Sequence, residues 1–150
     1  MAKKIKVVKK KAYTTPQAFK DAVNKMLLFW QGKMNLQAYS IYVQYVDKIK
    51  DKEYKDGMTA QVSVDTRYLT ISVDFSEKFL SLWKHDRKRM MAETICHELV
   101  HALTDPYYDL LWDKFPDKLK RQLKVVNERQ TELITQALMN TAHPEDFDLW

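Results

Sequence analysis

The chain has 150 residues, of which 45% are hydrophobic and 12% aromatic, with two glycines and one cysteine. That length suits one domain with its own core; two glycines leave little material for a glycine-rich nucleotide loop, and a single cysteine excludes an internal disulfide. The formal charge of +5 is uneven, because residues 1–11 hold six lysines and no acid, leaving 19 basic against 20 acidic residues elsewhere. This predicts a basic solvated tail over residues 1–13, with weak contact to nucleic acid as its alternative use. No apolar run approaches the ~20 residues of a membrane span, and the charged start lacks the apolar stretch of a secretory signal. With Cys96 the lone cysteine, a cytoplasmic location is expected.

One domain is predicted over residues 14–142. Thr14-Thr15-Pro16 is a good helix start, and Phe19, Val23, Met26, Leu27 and Trp30 fall on one face of the helix that follows, with Gly32 as its stop. Residues 36–49 are rich in Tyr, Ile and Val and alternate as a strand does, through Tyr39, Ile41, Val43 and Tyr45. A polar stretch over 50–57 predicts a loop. Two more alternating runs, 59–65 and 68–74, sit close enough for a tight hairpin. The reading is α+β: an N-terminal helix, a small, mostly antiparallel three-stranded sheet, then a helical half. In that half, residues 76–83 predict a short helix, and residues 90–104 a longer one closed by Pro106. A loop carrying Tyr107, Tyr108 and Trp112 follows, then a long helix from Pro116 to about Asn140. Residues 143–150 are expected to be irregular.

Chemistry concentrates at His97-Glu98-Leu99-Val100-His101. On a helix, residues four apart point the same way, about 40° apart around the axis. Two imidazoles so placed can share a metal ion, and Glu98 beside them can take a proton from a water. The same helix has an apolar back in Met91, Ile95, Leu99, Ala102 and Leu103, opposite His97, His101 and Thr94. Zinc sites in hydrolases take three protein ligands and one water. The candidate third ligand is Glu128, with Glu132 one turn on either reaching a histidine's free ring N–H or replacing Glu128. Both glutamates lie opposite an apolar stripe formed by Leu119, Leu123, Val126, Leu133 and Ala137, so a solvated face is the competing reading. His143 is a further alternative ligand. Cys96 and the methionines Met26, Met90, Met91 and Met139 read as packing. His85 reads as exposed, and Lys118, Lys120, Arg121 and Lys124 as a solvated helix face.

The run from His97 to Asp105, followed by Asn127-Glu128 and Glu132 in an N-E-x-x-x-E pattern, resembles the gluzincin metallopeptidases of the thermolysin-like clan. The resemblance spans about residues 59–140 and is similar in size to reduced, single-domain versions among phage and bacterial metallopeptidases. It implies a minimal zincin-like fold, with Zn²⁺ held by His97, His101 and Glu128 and with Glu132 buttressing a ligand histidine. It implies hydrolysis of protein or peptide substrates by a metal-activated water with Glu98 as general base. No second catalytic domain is expected, so a shallow cleft is expected with it. Tyr107 or Tyr108 is the candidate oxyanion donor, against a reading as ordinary core or surface aromatics. An edge strand such as residues 68–74 is the candidate seat for an extended peptide. Two other functions stay open: a DNA-associated protease or nucleic-acid-binding module docked by the N-terminal lysines, and a catalytically idle zinc-binding regulatory protein.

Overall fold

The computed structural model describes residues 15–50 and 57–148. The basic tail expected over 1–13, Thr14 and most of the loop expected over 50–57 lie outside the described residues. The elements are α1 (Gln17–Lys33), β1 (Ser40–Val46), β2 (Ala60–Asp65), β3 (Thr70–Ser76), α2 (Glu77–Lys84), α3 (Lys88–Trp112), α4 (Asp117–Met139) and α5 (Pro144–Asp148). The α+β reading holds, with the helix first, the three strands next and the helical half last.

In α1 the apolar positions fall three and four apart, and Phe19, Ala22, Val23, Met26, Leu27 and Trp30 are all buried. Gly32 does not stop this helix. The stop lies three residues later, at Asn35 in the left-handed region (φ 55°). Asn35 N–H donates to Gly32 O and Leu36 N–H to Gln31 O, which is the paired closure of a Schellman motif, and buried Leu36 supplies its apolar contact. The α2–α3 junction uses the same device. Asp86 takes φ 53°, its N–H donates to Trp83 O, and Arg87 N–H donates to Leu82 O.

The sheet has the order β1-β3-β2. The tight hairpin is present, pairing β2 antiparallel to β3. Asp65 anchors its turn by accepting the Arg67 N–H at 3.0 Å. The other pairing, β1 with β3, is parallel, so the sheet is mixed and not mostly antiparallel. The physical reason is apolar content. The middle of a sheet suits the strand with the most to bury, and Ile71, Val73 and Phe75 of β3 are buried. After β1 the chain passes the central position, forms β2, and returns through the hairpin to fill the gap. The strand suggested as an open edge, residues 68–74, is therefore the one paired on both sides. Among the described residues, the free edges belong to β1 and β2.

The inner face of the sheet, including Val43, Val62 and Val73, joins Phe19, Trp30, Phe79, Met91, Ile95 and Leu99 in one core. Phe75 and Phe79 stack with ring centroids 4.3 Å apart.

Two further expectations change in the helical half. The helix α3 does not end at Pro106 but continues through it to Trp112, so Tyr107, Tyr108 and Trp112 are helical rather than in a loop. An internal proline forfeits one hydrogen bond. Contacts with α4 hold the second half of α3 in place despite that loss: Asn127 donates to Asp105 at 3.0 Å, and the Lys120 ammonium sits 5.2 Å from the Trp112 ring. The segment expected to be irregular after residue 143 contains α5, whose start is tied by His143 N–H donating to the Asp146 carboxylate. No helix among the described residues is long and apolar enough to cross a membrane.

Because Ile71 is fully buried at the centre of the sheet, Ile71→Ala should lower unfolding free energy by ~2–5 kcal/mol in urea denaturation. A loss below about 0.5 kcal/mol would contradict its central placement.

Candidate metal centre

The helix α3 lies in the middle of the structure, and its sequence divides its faces. Met91, Ile95, Leu99 and Ala102 enter the core as expected, whereas Leu103 is partly exposed. His97 and His101 emerge on the side facing α4, with ring centroids 5.0 Å apart.

The third component comes from α4. Its buried positions are Asn127, Thr131, Thr135 and Met139, a row four residues apart that packs against α3. Thr104 and Thr131 face each other there, hydroxyl to hydroxyl at 3.0 Å, and Thr135 donates to Thr131 O at 2.8 Å. This row sets the rotation of α4. Glu128 and Glu132 each follow a buried residue by one position, so both project to the side of the contact where the imidazoles stand. The apolar stripe of α4 is not its buried face: Val126 and Leu133 are exposed.

Glu128 Oε2 lies 3.7 Å from His97 Nε2 and 3.8 Å from His101 Nε2. A tetrahedral ion about 2.0–2.1 Å from each ligand would hold such atoms roughly 3.3 Å apart. Both glutamate–histidine distances are a few tenths of an ångström above that value, and all three atoms lie within 4.8 Å of one another, so side-chain shifts would bring them round one zinc-sized ion. Among the described residues, His97, His101 and Glu128 form the one such group.

Both imidazoles are held from behind. His101 Nδ1 lies 2.9 Å from Asp105 Oδ1, so the ring donates there and leaves Nε2 as the free lone pair once the site is deprotonated. Asn127 donates to the same oxygen. His97 Nδ1 lies 3.5 Å from Glu132 Oε2, the buttressing position expected for Glu132. Glu132 is fixed in turn by Gln136, whose amide donates to Glu132 and Glu93 at 2.9 Å each. Sequence reasoning quoted Asp105 in the motif but gave it no role. The signal was its spacing, four residues after His101 on the same helix, which is contact distance.

The electrostatics suit a proton-handling site. Glu98 is buried beside the imidazoles. Desolvation pushes its carboxyl above the usual range, against the pull of His101 and His97. Burial alone would lower the pKa of His101, but the Asp105 hydrogen bond and charge, with Glu128 and Glu98, outweigh it and leave the pKa raised. The His97 imidazole holds Glu128 below its ordinary value, against partial burial.

A cleft passes over this group. Met58, Gln61 and Val62 form one wall, at the start of β2, and Tyr108, Lys124 and Asn127 line the far end with Asp105. It continues past His97 and Glu98 to Met90, Glu93 and Thr94. Tyr108 thus reaches the cleft, whereas Tyr107 is largely exposed. Lys124, expected on a solvated face, also lines the cleft, and Lys120 is paired with Asp117 at 2.7 Å. Of the other residues weighed, His143 is exposed ahead of α5 and outside the ligand group. Cys96 is buried, which pushes its thiol to about 12. His85 is exposed, with Nδ1 2.8 Å from Ser81 O.

The chain matches no protein-family profile, no curated protein and no solved structure.

A protonated imidazole cannot ligate a metal, so a raised His101 pKa makes protons compete with zinc at higher pH than at an ordinary histidine. Asp105→Ala removes the largest of the contributions that raise it, and His101 loses its proton earlier as pH climbs. Chelator-competition titrations across pH should show the onset of zinc binding moving to lower pH. The plateau affinity should fall roughly 10–100-fold because the ring loses its orienting partner. An unchanged onset and plateau would contradict the role given to Asp105.

Proposed function

We propose that the chain is a zinc-dependent metallopeptidase that hydrolyses protein or peptide substrates, with His97, His101 and Glu128 as metal ligands and Glu98 as general base. One observation carries the reading. Glu128 Oε2 lies within 3.8 Å of both Nε2 atoms, all three ligand atoms lie within 4.8 Å of one another, and a buried carboxylate with a raised pKa lines the same cleft. A purely structural site has no use for that further carboxylate.

Bound zinc would supply Lewis acidity, polarising a water and the carbonyl it attacks. The remaining work falls to the chain's own residues. Glu98 takes the proton of the attacking water and delivers it to the leaving amine. Burial raises its pKa toward the range in which a carboxylate can do both. Asp105 and Glu132 fix the two rings, so the ligands need little reorganisation. Tyr108, at the cleft end, is the better placed of the two tyrosines to donate to a developing oxyanion.

The peptide's seat is the outer edge of β2. It is the sheet edge beside the ligands, and Gln61 and Val62 lie on the cleft wall. An extended substrate added there would pair its backbone with a strand that has one unpaired side. The lone buried cysteine suits a reducing compartment, and we place the protein in the cytoplasm.

Glu98→Gln keeps the shape of the side chain and removes the base. Elemental analysis should find about one zinc per chain in this variant, as in the unaltered protein. Mass-spectrometric cleavage of a peptide library should fall ~10²–10⁴-fold. Cleavage at the unaltered rate, or an unaltered protein that binds no zinc, would overturn the proposal.

A further inference from the structure

The α3–α4 hairpin has two long sides. One side is the cleft with His97, His101 and Glu128. The opposite side carries the apolar stripe of α4 and the outer row of the second half of α3. Tyr107 is 72% exposed, Leu110 68%, Leu133 62% and Val126 51%, with Leu103, Leu111 and Ile134 also open. The spacings of Leu103, Tyr107 and Leu111, and of Leu119, Val126 and Leu133, make each set a single row. No acid or base interrupts either row: the α4 positions between are Leu123 and Gln130, and the row ends at Ala137.

Helical spacing puts both rows on one side of the hairpin. The contact face of α4 is fixed by Asn127, Thr131 and Thr135. Glu128 and Glu132 turn to one side of that face, and Val126 and Leu133 turn to the other. On antiparallel helices the corresponding side of α3 is the one carrying Leu103 and Tyr107. The result is a continuous apolar strip two helices wide. Its exposed side chains offer an area on the order of several hundred Å², comparable to the ~800 Å² that each partner contributes to a standard interface. Soluble monomers rarely leave such a strip open.

We propose that this face is an interface between two copies of the chain, packed hairpin on hairpin as a four-helix arrangement about a two-fold axis parallel to the helices. That operation lays α3 of one copy over α4 of the other and buries each uncharged row against its counterpart. The flanks match in charge. Asp109 and Asp113 lie on the flank of α3 toward the β2–β3 hairpin, where Asp109 lines a groove with Val64 and Thr66. Lys118 lies on the outer flank of α4, near the same end of the hairpin, and the two-fold axis brings acid flank to basic flank. The six lysines of residues 1–11 make that segment a poor cover for uncharged rows, since charges would be taken out of water without partners. Both clefts face outward in this dimer. The interface also clamps α4, whose seat on α3 within one chain is mostly polar. The inference is independent of the proposed hydrolytic activity.

Sedimentation equilibrium of the full chain at ~1–100 μM, the range in which standard-size interfaces of modest affinity dissociate, tests it directly. The expected species has twice the 17.9 kDa chain mass. Leu110→Asp with Leu133→Asp places one charge beside the α3 row and one within the α4 row and should weaken the dimer at least ~100-fold. Both positions are exposed in the single chain, so far-ultraviolet circular dichroism should be unchanged, and Tyr107→Glu is the single-site alternative if the double variant fails to fold. Leu28→Asp, on the exposed side of α1, should leave the dimer intact. A monomer throughout the range overturns the proposal, as does a dimer indifferent to Leu110→Asp/Leu133→Asp. It is equally overturned by a monomer that instead binds phosphatidylserine vesicles, or one that dimerises only after residues 1–14 are removed.

Discussion

The hydroxyl pair of Thr104 and Thr131, 3.0 Å apart and buried between α3 and α4, is the contact on which the candidate site depends. Two histidines on one helix cannot complete a metal site, and the third donor must come from a second helix at the correct height and rotation. Thr131 sets both. Its neighbours in the buried row, Asn127 and Thr135, are polar or small, so α4 sits close to α3 without an apolar seam. Asn127 adds a second fixed point by donating to Asp105, which itself holds His101. A shift of α4 by one residue along this row would rotate Glu128 by about 100° and remove it from the imidazoles.

The same row explains the charge arrangement. Glu98, Asp105, Glu128 and Glu132 surround two imidazoles in a partly buried space. Burial raises the pKa of Glu98, with Glu128 and Asp105 adding to it, and acids gathered in one place favour a cation, whether a proton on His101 or a metal ion. Protons and a bound metal would compete for the same lone pairs, so occupancy of the proposed site would be linked to pH. The cleft walls come from elements with other duties. β2 contributes because β3 has taken the centre of the sheet, leaving β2 at the edge nearest α3.

Much of this was legible in the residues. The periodicities of Phe19 to Trp30 and of Val62 to Val73 place the first helix and the hairpin because burial imposes 3.6 and 2 as repeats. The pairing of His97 with His101 follows from spacing on one helix, which is local geometry; Glu128 and Glu132 lie on a second helix and were picked out by their N-E-x-x-x-E pattern. Long-range choices were harder to read. Whether β1 pairs with β2 or with β3 depends on which strand takes the centre, and that is decided by the whole core. Pro106 and Gly32 are ordinary stop signals, but α3 runs through Pro106 because α4 holds its second half, and α1 runs past Gly32 because Asn35 provides the turn. The rotation of α4 stayed open between two faces for a related reason. Its apolar stripe is the stronger pattern, yet the contact with α3 is made by Asn127, Thr131, Thr135 and Met139, which carry little apolar signal. A pattern of that strength left exposed points beyond the single chain, and a partner hairpin accounts for it.

The central claim is that α3 and α4 together build a three-ligand zinc site with one position left for water. Zinc-edge X-ray absorption on the zinc-loaded full chain reads this most directly. The account predicts two imidazole nitrogens at about 2.0–2.1 Å and two oxygens in a four-coordinate shell, with no sulfur. A six-oxygen shell, a zinc–sulfur distance near 2.3 Å, or a spectrum unchanged in Glu128→Ala would contradict it.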